Sequence, residues 1–193
     1  DIDDELVEPL SVLVGKTLLQ GESITHRVET EACAARVLCA VLRPPPAIIV
    51  LGAGLDAGPV VRFAAELGWR VTVQDHRPAY VDAGDFTCAD AVHCLPVDQL
   101  SASVDLDDFD AAIVMSHHLT SDRAYLSQLA RSRIGFIGRL LAVDRGRRLI
   151  DVLGAGAQKL EGRVDGAGGL VIGGRGAASI ALWIVAEMHR LLL

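Results

Sequence analysis

Lysine is almost missing from this sequence: Lys16 and Lys159 are the only two in 193 residues. No Tyr-x-x-x-Lys acid–base pair can be drawn, which removes one common arrangement for nicotinamide-dependent chemistry. Aromatic residues make up 4% of the chain, and no Lys/Arg run interleaves with them. With a formal net charge of -7, these absences argue against a nucleic-acid partner. Cysteine is limited to Cys33, Cys39, Cys88 and Cys94, with no C-x-x-C pair, which reads as buried, reduced thiols. His93-Cys94 has no partner at zinc-site spacing. Long apolar runs are lacking as well. "AASIALWIVA" (177–186) is too short to span a bilayer and is followed by Glu187, His189 and Arg190. With no signal peptide in view, the expectation is a cytoplasmic protein without a membrane partner. The chain opens at Asp1 rather than Met, so its N-terminus is expected to be incomplete.

What is abundant is Ala, Val, Leu, Ile and Gly, a composition suited to buried parallel strands that read as continuous apolar runs. Residues 3–19 carry Leu6, Leu10, Leu13, Val14 and Leu18 at helical spacing, and "ITHRVETE" and "ARVLCAVLR" read as two strands. The "GKT" at Gly15 is not a P-loop, because Leu10 stands where that motif needs glycine. "RPPP" (43–46) stops regular structure, since proline neither donates to a ladder nor continues a helix. The boundary is placed there, giving a small N-terminal α+β remnant over 1–43 and a main domain over 44–193.

Beyond it, strand and helix alternate. "AIIVL", "RVTVQ", "AVHCL", "AAIVM" and "IGFIG" read as strands, with a loop between the second and the third. "DAGPVVRFAAELG", "SDRAYLSQLARS" and "LAVDRGRRLIDVLG" read as helices. "GLVIGGRGAASIALWIVAEMHRLLL" supplies a last short strand, a glycine turn and a closing helix. This order predicts an α/β fold, a Rossmann-like doubly wound parallel sheet. The closing helix is apolar nearly all round in its first half, so it is expected in the core or at a homodimer interface.

Two stretches carry candidate chemistry. "VLGAGLDAGP" sets Gly52, Gly54 and Ala57 in a G-x-G-x-x-A turn between a strand and a helix, the context in which such a turn receives a phosphate on the helix N-terminus. Asp75 ends the next strand, where an acid accepts bonds from a ribose hydroxyl pair; Arg77 two residues on could instead hold a phosphate, so NAD and NADP both stay open. Asp56, inside the turn, repels a pyrophosphate. The second stretch is "MSHHLTSD" (115–122), at the end of another apolar strand. Ser121 is placed to cap the following helix, with Asp122 in its first turn. His117 and His118 suit proton transfer or, with Cys94, a metal. Ligands of open α/β sheets sit beyond the carboxyl ends of the strands, so glycine turn, "DHRP" and "SHH" are expected to converge on one crevice.

Taken in order, these segments resemble the C-terminal domain of the XdhC/CoxI family, accessory proteins of xanthine dehydrogenase and related molybdenum hydroxylases. "RPPPAIIVLGAGLDAGPVVRFAAELGWRVTVQDHRPAY" is similar to the family's proline-led strand, G-A-G-x-D-A turn and D-H-R-P strand end. "AAIVMSHHLTSDRAYL" resembles its M-[ST]-H turn, "GFIG" the strand that follows, and "GRVDGAGGLVIGGRGAASIALWIVAEMH" its closing G-G segment and helix. The likeness covers roughly residues 43–191. It implies site residues Gly52, Gly54 and Asp56; Asp75, His76 and Arg77; Ser116, His117 and Asp122; and Gly173, Gly174 and Arg175. It also implies binding of molybdenum cofactor (molybdopterin) and its handover, without turnover, to a hydroxylase such as xanthine dehydrogenase, with a cysteine desulfurase as a further partner. The family's S-G-G-C segment is missing; its arginine-rich turn is respaced, keeping Arg145, Arg147 and Arg148; its His-Gly-Pro reads "DGA"; and Val171 stands where aspartate is common. Two other readings stand beside this one: an NAD(P)-dependent oxidoreductase, and a degenerate regulatory or docking protein with no ligand.

Overall fold

The structure is a computed structural model and describes residues 4–30, 33–139, 155–166 and 176–193. The expected helix at 141–154, the short strand before the closing helix, and Gly173, Gly174 and Arg175 lie outside the described residues. The chain divides into two compact units, Asp1–Pro44 and Pro45–Leu193.

In the first unit, α1 (Asp4–Gln20) precedes an antiparallel hairpin of β1 (Ile24–Glu29) and β2 (Ala34–Cys39), paired from Ile24↔Cys39 to Glu29↔Ala34. Leu13 and Thr17 on the helix and Val28 on the hairpin are its buried residues, a small core; β2 alternates between exposed and half-buried residues without burying any fully.

The second unit is built on β3 (Ala47–Leu51), β4 (Arg70–Asp75), β5 (Ala91–Cys94), β6 (Ala111–Val114), β7 (Phe136–Arg139) and β8 (Val164–Gly166). They form one sheet in the order β5-β4-β3-β6-β7-β8, every pair parallel. This is the Rossmann order, and the point where the strand order reverses falls between β3 and β6. The helices are α2 (Ala57–Glu66), α3 (Pro78–Ala83), α4 (Leu100–Ser103), α5 (Leu119–Leu129), α6 (Ala155–Leu160) and α7 (Ala177–Leu192).

The continuous apolar character of β3 follows from burial on both faces. Ile48 and Val50 pack under α2 and α7, together with Val60, Val61, Ile184 and Met188. Ile49 and Leu51 face the other way, onto Tyr125, Leu126 and Leu129 of α5 and Leu160 of α6. Successive strand residues point to opposite faces, so a strand covered twice shows no polar alternation. The closing helix α7 packs on α2 and buries Ala181, Ile184, Val185 and Met188, while Leu182 on its opposite side is exposed. One stripe of it is core, rather than its whole circumference.

Strand starts are held by acids. Asp110 accepts the Ala47 amide at 2.8 Å and Asp90 accepts the Val71 amide at 2.7 Å. Each satisfies a backbone donor at the end of a ladder that would otherwise be left unpaired.

Candidate functional site

The turns after β3 and β6 meet at the switch point. Gly52 has φ +127°, and a Cβ placed on it would lie 2.6 Å from the backbone of Met115 and Ser116. Only glycine combines that conformation with that approach. The two loops the sequence singled out, glycine turn and histidine turn, are thus in contact.

Asp75, at the end of β4, joins them. Its carboxylate accepts the Ala53 amide at 2.7 Å and the Arg77 amide at 3.0 Å. It also takes a two-point bond from the Arg77 guanidinium, at 2.9 and 2.7 Å. Arg77 donates onward to the Ser116 carbonyl at 3.3 Å and stacks over the Tyr80 ring at 3.8 Å. Burial of Asp75 works to raise its pKa, but the Arg77 side chain and the Ala53 and Arg77 amides outweigh it and hold the carboxyl below the usual range. The same bonds raise the Arg77 guanidinium. The acid expected to read ribose hydroxyls, and the arginine offered for a phosphate, therefore grip each other and the glycine turn. Asp75 has no exposed surface. His76 sits beside them, its Nδ1 3.4 Å from Asp75 but without a hydrogen bond.

The histidine turn is organised by Asp122. Its carboxylate takes the Ser116 hydroxyl at 2.5 Å and the Ser116 amide at 3.3 Å, while its second oxygen is buried with no partner among the described residues. Burial pushes the Asp122 carboxyl up, opposed by the two Ser116 bonds and by His117 and His118. Asp122 lies in the first turn of α5 as expected, but Ser121 is not the cap. The helix begins two residues earlier, at Leu119, with His118 in extended conformation at the cap position and Ser121 buried in the first turn, its hydroxyl 3.1 Å from His118 Nδ1. No serine–histidine–acid relay results, because the Ser116 hydroxyl engages Asp122 directly and the Ser121–His118 pair meets no carboxylate among these contacts.

His117 is the one non-glycine residue with positive φ, +58°, among the described residues. That conformation carries its ring over the glycine turn: a Cβ on Gly54 would be 3.5 Å from its Cδ2, and its Nε2 is 3.3 Å from Asp56 Oδ2. Asp56 accordingly makes no side-chain cap bond to α2. Ala57, next to it, is fully buried against the core, as the small third residue of the turn requires.

So the expected convergence is present for Gly52, Gly54, Asp56, Ala57, Asp75, His76, Arg77, Ser116, His117, His118 and Asp122. Much of the space between them, however, is occupied by their own contacts. The open hollow lies beside them, between α2 and α3: a cavity of about 500 Å³ that meets the glycine turn at Ala53 and Gly54 and is walled by Pro59, Tyr80 and Phe86, with Arg62 and Asp85 among its lining. Of the expected residues that the structure describes, Gly54 alone lines it. Sequence reasoning misses this wall, because the segment after "DHRP" reads as loop. Pro78 opening a helix is the available signal, since proline favours the first helical position.

One smaller expectation is corrected. Cys88 and Cys94 are exposed and Cys33 and Cys39 half-buried, all four unpaired; Cys94 ends the edge strand β5, one side of which faces out. Among the described residues no group of three His, Cys, Asp or Glu side chains could hold a metal ion, so His117, His118 and Cys94 do not assemble as ligands. No described helix is long and apolar enough to cross a membrane.

Comparison with known proteins agrees with this architecture. Residues 48–188 match the XdhC Rossmann domain family. A Bacillus subtilis protein named as a probable xanthine dehydrogenase component is 31% identical over 147 residues, 76% of this chain and 43% of that one. The chain thus spans less than half the length of that relative. A crystal structure described as a xanthine dehydrogenase from Bacillus halodurans superposes with a TM-score of 0.66 at 25% identity, over 98% of this chain and 68% of that one.

Proposed function

The chain belongs to the XdhC family through its Rossmann domain, and from that premise we propose that it binds molybdenum cofactor and assists its maturation and insertion into a xanthine dehydrogenase-type hydroxylase. The observation that carries this choice over a nicotinamide-dependent oxidoreductase is the closure of Asp75. An acid that accepts the Ala53 amide, the Arg77 amide and both nitrogens of the Arg77 fork has no capacity left for a ribose hydroxyl pair. The Rossmann turn is kept, and the contact that selects a dinucleotide is turned inward.

The residues present fit a pterin-based anion. The 500 Å³ cavity is within the range of small-molecule sites and is lined mainly by apolar groups, as a flat heterocycle needs. It adjoins the N-terminus of α2, whose amides favour a phosphate against the opposing charge of Asp56 at the cap, and Gly54 leaves the backbone there without a side chain. His117, held over Gly54 and half-exposed, is the imidazole next to that anion position. Bound, the cofactor would supply a metal held by the dithiolene of a pterin; the chain would supply orientation, exclusion of water and release. A role in handover requires no nucleophile–base pair.

Anaerobic mixing with molybdenum cofactor followed by gel filtration, with molybdenum and pterin measured in the protein peak, tests the reading. Co-elution near one equivalent per chain supports it; molybdenum only in the small-molecule fractions refutes it.

A further inference from the structure

Resting on that reading, we infer that the slot between α2 and α3 selects its guest through the Arg62–Asp85 pair, which reads the 2-amino-4-oxopyrimidine edge shared by pterins and guanine. The slot has apolar faces and one polar side. Tyr80 and Phe86 supply aromatic walls and Pro59 an aliphatic one. Arg77 already covers one face of the Tyr80 ring, so its other face or edge is what a planar guest can meet. Phe86 lies tight against the backbone of Gly84, where a Cβ would fall 2.0 Å from the ring. That glycine is what lets the ring form the wall.

The polar side is an ion pair able to change partners. Arg62 Nη1 is 3.4 Å from Asp85 Oδ2, and the two side chains are 48% and 62% exposed, so they hold one another weakly. Thr87 donates to the other Asp85 oxygen at 2.9 Å and orients the carboxylate. Gly58 keeps this corner open: a Cβ there would be 3.5 Å from the Asp85 carbonyl and 3.6 Å from Arg62 Nη1, and a longer side chain would enter the mouth. A carboxylate pairs two-pointed with adjacent ring N–H and amino donors, and a guanidinium pairs with a neighbouring ring carbonyl. Pterins and guanine carry amino group, ring N–H and carbonyl in a row. Adenine offers one amino group beside a bare ring nitrogen, which a carboxylate repels.

The test titrates the whole chain with 6-hydroxymethylpterin, GMP and AMP, read by calorimetry and by quenching of pterin fluorescence. The expected result is binding of the pterin and GMP about tenfold tighter than AMP, with Asp85→Asn and Arg62→Gln each removing that preference. Gly58→Val should weaken all three. Tighter binding of the pterin than of GMP assigns the slot to a pterin; the reverse order assigns it to a guanine nucleotide. Equal affinity for AMP, no binding of any probe, or an unchanged preference in Asp85→Asn overturns the inference. Circular dichroism of the variants checks the fold, which the exposed positions Arg62 and Asp85 should leave intact; Gly58 is buried in α2, so Gly58→Val is read only where its spectrum matches the parent's. If Asp85→Asn and Arg62→Gln retain molybdenum cofactor as the parent chain does, the inference fails and the proposed function stands. If the parent chain itself retains none, the proposed function fails.

Discussion

The Asp75 carboxylate accepts the Ala53 amide at 2.7 Å, tying the end of the second main strand to the glycine turn that follows the first. In a dinucleotide enzyme that carboxylate faces the ligand. Here it is a structural tie, closed from the other side by Arg77.

Asp75→Asn should therefore be costly. It removes a charge-assisted fork from a fully buried group while leaving Arg77 partly buried, a loss of roughly 2–3 kcal/mol by urea denaturation. The pH dependence has a definite sign. The folded carboxyl lies below its usual 3.8, so its stabilising contribution is present above that value and is lost as pH falls through the lowered one. The gap between parent and variant should narrow in acid. A cost near zero at neutral pH would show that the tie is not holding the turn.

The same closure makes nicotinamide nucleotides poor ligands. Titration of NADH and NADPH, followed by nicotinamide fluorescence, is expected to give dissociation constants no tighter than about 1 mM. Micromolar binding of either would mean that Asp75 opens to a ribose, and would revive the oxidoreductase reading.

At Gly52, replacement by alanine meets two obstacles at once, the φ of +127° and a Cβ 2.6 Å from the Met115–Ser116 backbone. The expected loss is roughly 2–4 kcal/mol, seen as a lowered Tm. Gly54→Ala, whose Cβ would make ordinary 3.5 Å contact with the His117 ring, should cost much less in stability. Equal effects at the two glycines would contradict the contact described between the loops.

Asp122 behaves oppositely to Asp75. Burial raises its carboxyl above 3.8 despite the Ser116 bonds, so its contribution is fully present below the unfolded value and is lost as pH rises through the folded one. The stability of the parent chain relative to Asp122→Asn should be greatest in acid and fall toward neutral pH. A difference that grows with pH would mean that the second carboxylate oxygen is in fact satisfied.

How far the sequence reveals this arrangement depends on the segment. "AIIVL" is legible to the residue, because a strand buried on both faces must be apolar throughout. The meeting of the glycine and histidine turns is legible from topology, since both leave strands at the switch point. The start of α5 is not: Ser121 has the composition of a cap, yet the chain turns helical at Leu119, and His118 takes the extended cap conformation that no side-chain pattern announces. The role of Asp75 is hidden for a related reason. Its position suits a ribose, and only the distances to Arg77 and Ala53 show that both its oxygens are used. The cavity is invisible in sequence because Arg62, Tyr80, Asp85 and Phe86 follow no motif. They are brought together by the short helix α3 and a glycine that admits an aromatic ring.

The most direct test of the account is amide chemical-shift mapping of the isotopically labelled chain titrated anaerobically with molybdenum cofactor. Shifts concentrated at Gly54, Leu55 and Gly58 of the turn and helix, at Tyr80, Asp85 and Phe86 across the slot, and at His117 are the result expected. Shifts confined to the α1–β1–β2 unit or to the outer side of α7, or none at saturating cofactor, would contradict the claim that this rim receives the guest.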